Sequence, residues 1–132
     1  MTRQRALIMA ELRSVTSHPT ADEIYAMVRR KLPRISLGTV YRNLDLLTDN
    51  NEILCLEYAG FQKRFDGNVN DHQHVRCMHC GRVADVTLEV PTPELPKNMY
   101  VPDFTVLCAR VEFFGVCESC RQAEMAARHE CA

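Results

Sequence analysis

An α+β fold in two parts is what the sequence predicts, and three observations carry it. Apolar residues recur at helical spacing through the first half, and strand-like alternation takes over in the second. The charge also divides. Residues 1–65 hold 10 Lys and Arg against 7 Asp and Glu, a net of +3, while residues 66–132 hold 6 against 10, a net of −4. Finally, six of the seven Cys and four of the five His fall in the second part. The division expected is a first domain over 1–65, a hinge over 66–73 and a second domain over 74–132. A basic first part suits a polyanionic partner, and an acidic second part rich in Cys and His suits cations.

Composition sets outer bounds. With 46% hydrophobic and 25% charged residues in 132, the chain can fill a core and is not disordered as a whole. Its formal net charge of −1 excludes a polycation. No apolar run approaches the roughly 18 residues of a membrane span, and Met1-Thr-Arg-Gln-Arg5 lacks a signal peptide's apolar stretch, so no membrane association is expected and the location expected is cytoplasmic. In a reducing compartment seven Cys point to metal ligation more than to disulfides.

The elements follow in order. Leu7, Ile8, Leu12 and Val15 mark a first helix from Arg3 to about Ser14. Thr20-Ala-Asp-Glu23 is a capping box opening a second helix, which runs to about Leu32 before Pro33 stops it. Ser36 caps a third helix with Leu37, Val40, Leu44 and Leu47 inward, ending near Asn50-Asn51. Strands over roughly 52–58 and 61–65 then flank a turn at Ala59-Gly60. Three short helices and a hairpin make a winged helix-turn-helix, whose third helix enters the DNA major groove. Its outward face would show Thr39, Tyr41, Arg42 and Asn43, with Ser36 at its start; Arg suits guanine, and an aromatic ring suits the thymine methyl. Lys63 and Arg64 on the wing would meet phosphates. The bland alternative is a small helical domain with a solvated polar face.

In the second part, Cys77-Met-His-Cys80 and Cys117-Glu-Ser-Cys120 share one internal spacing and stand 36 residues apart. Two such pairs form the tetrahedral sulfur cage of a structural Zn2+, which would pin 77–80 to a hairpin end at 117–120. The competing reading is a redox dithiol, which expects one CxxC within a βαβ pattern. Cys55 and Cys108 suit small core positions, and Cys131 suits a free thiol in the tail. His79 and His129 read as exposed. Asp66, His72, His74 and Asp85 form a second constellation: in an extended segment both His project from one face, and a nitrogen and carboxylate mix suits Fe, Mn, Zn or Co. A solvated linker with Asp66 capping a turn is the alternative. Pro91 to Pro102, with four prolines, reads as a loop; 104–114 alternates like a strand, and a terminal helix is expected over about 121–128.

Strung together, Arg3-Gln-Arg5, His18-Pro-Thr-Ala-Asp-Glu-Ile-Tyr25, Ile35-Ser-Leu-Gly-Thr-Val-Tyr-Arg-Asn-Leu44, Arg64-Phe-Asp66, His72-x-His74, Cys77-x-x-Cys80-Gly81 and Cys117-x-x-Cys120 closely resemble the ferric uptake regulator (Fur) family of bacterial metal-dependent repressors. The resemblance covers nearly the whole chain. It implies a homodimer, each chain with a winged helix and a dimerisation domain, binding a palindromic operator in double-stranded DNA. It implies structural Zn2+ at Cys77, Cys80, Cys117 and Cys120. It places a regulatory Fe2+ or Mn2+ between the domains, on His18, Asp66, His72, His74 and Asp85, and so gives His18 a role that the residues alone do not. A cation joining His18 to the other four would fix the angle between domains and match the two recognition helices to half-sites about one helical turn apart.

Iron-sensing members commonly have Glu where this sequence has Asp66 and Asp85. Asp at both, with three His, resembles the peroxide-sensing branch, in which iron-catalysed oxidation by hydrogen peroxide turns a ligand His into 2-oxo-histidine and repression ends. The oxidation-sensitive residues implied are His18 and His72. Gln73 and Ala109 break the additional metal site of many members, which favours the same branch, whereas Arg42 matches the recognition helix of the iron sensors. Family members also usually begin earlier, with a first basic helix whose DNA contacts are not in this sequence. The reading is therefore a repressor and not an enzyme. Its alternatives are an iron-responsive regulator of uptake genes, a zinc or manganese sensor and, from another class, a thiol redox enzyme.

Overall fold

The computed structural model describes residues 2–87, 96, 98–107, 109 and 111–127. Cys108, His129 and Cys131, and much of the proline-rich loop, lie outside the described residues.

Three helices come first: α1 (Arg3–Arg13), α2 (Ala21–Arg29) and α3 (Leu37–Asp49). Each begins on a side-chain cap that satisfies an otherwise unpaired amide. Thr2 accepts from Arg5 N–H. Thr20 and Glu23 cap each other's backbone in a complete capping box. Ser36 Oγ accepts from Thr39 N–H at 3.1 Å. The end of α3 is a Schellman closure. Asn51 turns to φ 58°, which lets Glu52 N–H reach the Leu47 carbonyl at 2.9 Å and Asn51 N–H that of Thr48 at 3.0 Å.

A hairpin follows, β1 (Leu54–Leu56) antiparallel to β2 (Arg64–Asp66). Ile8, Leu12, Ile24, Val28, Val40, Leu44, Leu47, Ile53 and Phe65 fill one core between the helices and the hairpin. Truncating a fully buried leucine such as Leu44 to Ala costs about 2–5 kcal/mol in such a setting.

A second, three-stranded sheet has the order β4-β3-β5, from β3 (Gln73–Cys77), β4 (Val83–Val86) and β5 (Phe113–Gly115). β3 runs antiparallel to β4, with His74 opposite Asp85, and parallel to β5, with Cys77 opposite Gly115. Helix α4 (Glu118–Ala127) closes the described chain. The mixture of helices and two sheets is the α+β class expected. No helix among the described residues is long and apolar enough to cross a membrane.

Several boundaries differ from the sequence reading. Helix α2 stops at Arg29, because the turn tightens so that Lys31 and Leu32 amides both return to the Val28 carbonyl. Leu37 is exposed, since the first turn of α3 projects past the core, while Asn43 turns inward. Asn43 donates to the Thr39 carbonyl and accepts from Arg5 Nε, tying α3 to α1. The hairpin strands are short, and the connection between them runs over residues 57–63. Of the strand expected over 104–114, only 113 and 114 are in β5; Phe104 and Leu107 are 74% and 85% exposed, so neither side chain is covered among the described residues. Helix α4 begins at Glu118, so the second CxxC joins a strand end to a helix's first turn, and no hairpin is there.

Candidate metal centres and nucleic-acid face

Two ligand clusters are assembled among the described residues. The first collects Cys77, Cys80, Cys117 and Cys120, with their sulfurs within 4.8 Å of one another. Parallel pairing of β3 with β5 brings the two CxxC pairs together, and Met78 N–H bonds the Gly115 carbonyl at 2.9 Å to hold the register. Gly81 takes φ 79° to turn the first pair, closing the Gly81 N–H to Cys77 carbonyl bond. Cys80 and Cys117 sulfurs stand 3.7 Å apart. Thiolates about 2.3 Å from a tetrahedral zinc are about 3.8 Å apart, so the spacing suits that ion and is far too long for a disulfide. Burial works to raise the Cys77 thiol, but amides of Cys117, Cys80 and His79 outweigh it and bring it down to about 6. The Cys120 amide and thiol hold Cys117 low as well. The bond to Cys117 and partial burial push Cys120 up. Four thiols this close do not all ionise without a cation among them. His79, inside the first CxxC, is half exposed and lies 2.5 Å from Glu124 on α4.

The second cluster gathers His18, Asp66, His72, His74 and Asp85, again within 4.8 Å. These five come from four places in the chain's path. His18 sits on the loop between α1 and α2 at φ 52°, a left-handed conformation that costs a non-glycine residue about 1–3 kcal/mol. Asp66 ends β2, His72 precedes β3, His74 lies on β3, and Asp85 lies on β4 directly opposite His74. The Asp66 Oδ2 atom is 3.2 Å from His18 Nε2, 2.8 Å from His72 Nε2 and 2.9 Å from His74 Nε2. The Asp85 Oδ1 atom is 2.9, 3.2 and 3.5 Å from the same three nitrogens. A cation about 2.1 Å from each donor would separate neighbouring donors by about 3 Å, which is the spacing seen.

The proton inventory points the same way. His72 Nδ1 lies 2.5 Å from the Asn70 carbonyl, which can only accept, so that nitrogen carries the proton. In a neutral ring Nε2 is then a bare lone pair 2.8 Å from a carboxylate oxygen. Only a second proton or a cation removes that conflict. Burial works to lower the His72 value, but the Asn70 carbonyl and Asp66 outweigh it and raise it. Burial likewise opposes ionisation of Asp66, but bonds from His74, Asn68 N–H and His72 outweigh it and hold its carboxyl below the usual range. His18, 2% exposed, keeps a buried Nδ1 with no hydrogen-bond partner. Three nitrogens and two carboxylate oxygens fit an ion of intermediate hardness such as ferrous iron or manganese, and the fit needs no added residue.

The third set, the expected DNA contacts, is partly exposed. Ser36 and Thr39 hydroxyls are 2.8 Å apart at the start of α3, and Arg42 donates to Thr39 Oγ1 at 3.0 Å. Tyr41 is exposed, and so is Lys63, with its Nζ 4.0 Å from Glu57 Oε1. Arg64 does not. Its side chain is 17% exposed, donates to the His18 carbonyl at 3.1 Å and lies 3.6 Å from Glu23.

Comparison with known proteins now decides the family. The sequence pattern of the ferric uptake regulator family matches residues 1–114. This chain belongs to that family. The peroxide-responsive repressor PerR of Staphylococcus epidermidis is 38% identical over 122 residues, covering 92% of this chain and 81% of its own. The Campylobacter jejuni peroxide stress regulator is 31% identical with a TM-score of 0.58, over 64% of this chain and 62% of its own. The Helicobacter pylori Fur structure, described as having three functional metal binding sites, shares the fold at TM-score 0.69 and 21% identity, over 92% of this chain and 81% of its own.

One residue was missed by sequence reasoning. Arg76, 7% exposed on β3, donates to the Gly81 carbonyl at 3.0 Å and the Leu56 carbonyl at 3.3 Å, and stacks on Phe61. It ties the hairpin to the first CxxC turn. The signal was the strand period: Arg76 has the parity of His72 and His74.

Proposed function

We propose that this protein is a homodimeric, metal-dependent transcriptional repressor, acting in the cytoplasm on a palindromic operator and released from it by hydrogen peroxide. The observation that carries the reading is the convergence of three imidazole Nε2 atoms on two aspartate oxygens drawn from a helix loop, the hairpin and the second sheet. The likeness to peroxide-responsive repressors of the same family supports the choice of signal.

In this reading residues 1–65 are a winged helix. Ser36, Thr39, Tyr41 and Arg42 face the major groove from α3, and Lys63 meets a phosphate from the hairpin. Cys77, Cys80, Cys117 and Cys120 hold zinc, keeping β3, β5 and α4 in register. His18 and Asp66 on one side, and His72, His74 and Asp85 on the other, hold Fe2+ or Mn2+ together only when the two parts keep one orientation. That shared demand selects the DNA-competent arrangement. Ferrous iron held by His18, Asp66, His72, His74 and Asp85 would supply the activation of the peroxide O–O bond, so that one oxygen would end on an imidazole carbon as a 2-oxo group and the other would leave as water. His18 and His72 are the rings that the family resemblance implies would receive it. An oxidised ring has amide-like nitrogens and donates poorly, so the cluster loses a ligand and its hold on both parts. His72 and His74 also line a cavity of about 480 Å3 between the hairpin and the second sheet, open to a small oxidant.

The test uses DNA selected from a random pool by the Mn2+-loaded protein. Fluorescence anisotropy should show binding with Mn2+ or Fe2+ and none after chelation. A peroxide pulse should release the iron-loaded protein and leave the manganese-loaded one bound. Release of both forms, or of neither, contradicts the proposal; the last is the behaviour of a plain iron sensor.

A further inference from the structure

The strand that supplies Asp66 also carries Arg64 two residues earlier, on the same face. The two side chains grip opposite ends of one residue. Asp66 Oδ2 meets the His18 ring at 3.2 Å, and Arg64 Nη1 donates to the His18 carbonyl at 3.1 Å. The backbone on either side is fixed by the same strand. Phe65 N–H bonds the Pro19 carbonyl at 2.9 Å, and Thr20 bridges Arg64. Behind Arg64 stands Glu23, whose Oε1 accepts from Thr20 N–H at 3.2 Å and from Thr20 Oγ1 at 3.1 Å while lying 3.6 Å from the guanidinium.

His18 needs such support because it sits at φ 52° with a ring that is almost fully buried. A non-glycine residue stays in the left-handed region only where its surroundings over-determine it. Arg64 is the one charged donor recorded on its carbonyl among the described residues. Its half-buried position and its two partners also keep it from projecting into solvent, whereas Lys63 is exposed with its Nζ 4.0 Å from Glu57 Oε1.

We propose that Arg64 is a positioning residue for the regulatory cluster: it locks the His18 backbone so that the ring meets Asp66 and Asp85, and it links the cluster to the start of α2 through Glu23. The proposal rests on the reading of the five-donor cluster as a metal site.

The experiment compares the zinc-loaded full chain with Arg64→Gln, Arg64→Lys and Lys63→Gln. Mn2+ affinity is read by calorimetry, and DNA affinity at saturating Mn2+ is read as a function of salt. Arg64→Gln should weaken Mn2+ binding about 10–100-fold, the usual cost of losing a residue that orients a ligand. At saturating Mn2+ its DNA affinity and salt slope should return to those of the unaltered chain. Lys63→Gln should do the reverse, with unchanged Mn2+ affinity and a salt slope smaller by about 1. If Arg64→Gln behaves like Lys63→Gln, the residue is a phosphate contact and the proposal is wrong. General loosening of the fold would weaken DNA binding even at saturating metal, which also overturns it. If Arg64→Gln fails to fold, Arg64→Lys carries the test: it keeps the charge beside Glu23 but loses the planar fork, and should show a smaller loss of Mn2+ affinity alone. Should the unaltered chain bind no Mn2+ beyond its zinc, the cluster reading itself fails; should it bind Mn2+ and both Arg64 variants bind it equally well, only the role of Arg64 fails.

Discussion

Asp66 concentrates the chemistry at the scale of single residues. One of its oxygens lies within 3.2 Å of three imidazole nitrogens, and its other oxygen accepts from Asn68 N–H at 2.9 Å. Replacing it with Asn removes the charge that the three rings face but preserves the volume. Asp66→Asn should lower Mn2+ affinity by more than about 100-fold, beyond the usual effect of a residue outside the ligand set, and leave the zinc content at one per chain. Calorimetry and metal analysis check both; unchanged Mn2+ binding contradicts the cluster assignment. At this scale the sequence was informative where chemistry is local. Two CxxC pairs and an HxH declare themselves by spacing. His18 does not, because its role depends on a loop that meets β4 across 67 positions of chain, and only family resemblance reached it. The inward turn of Arg64 was equally out of reach, since an arginine on a wing strand reads as a phosphate contact until its neighbours are known.

Among the elements, the hairpin and the first CxxC turn are joined by one contact set. Arg76 bonds the Leu56 and Gly81 carbonyls and stacks beneath Phe61, while Phe61 lies against Gly81. A Cβ added at Gly81 would stand 2.7 Å from Phe61 Cδ1, and its φ of 79° already disfavours a side chain. Gly81→Ala should therefore destabilise the fold by about 1–3 kcal/mol and loosen the hairpin, seen as a lower urea midpoint and faster amide exchange over residues 54–66. An unchanged midpoint contradicts this account of the contact. Helix starts were legible in the sequence because caps are local: Thr20, Glu23 and Ser36 act within three residues. The strand expected over 104–114 was not realised beyond β5, because alternation specifies a pleat but not the surface that covers it. Phe104 and Leu107 are three positions apart, so a pleat would send them to opposite faces, and both are exposed among the described residues.

For the molecule as a whole, the central cluster makes stability depend on pH in opposite senses with and without metal. His72 holds its proton above the ordinary 6.5, so its contribution to the metal-free fold is complete below that value and is lost as pH rises through the raised one. Asp66 is held below the ordinary 3.8, so its contribution is present above that value and is lost as pH falls through the lowered one. With zinc kept in the four-Cys site and no metal on the five-donor cluster, these two groups should make the protein more stable near pH 6 than near pH 8, with both contributions present between the two values. Mn2+ needs the imidazole nitrogens free of protons, so the stabilisation it adds should grow over the same rise in pH. Thermal melts across that range, with Mn2+ and with chelator, check the crossing; parallel curves contradict it. The most direct test of the whole account is peptide mass spectrometry after anaerobic loading with ferrous iron and a brief pulse of hydrogen peroxide. The account predicts one added oxygen atom on the peptide holding His18 or on that holding His72, lost DNA binding in step with it, and neither change with manganese. Unmodified histidines in a protein whose DNA binding still follows iron would contradict it.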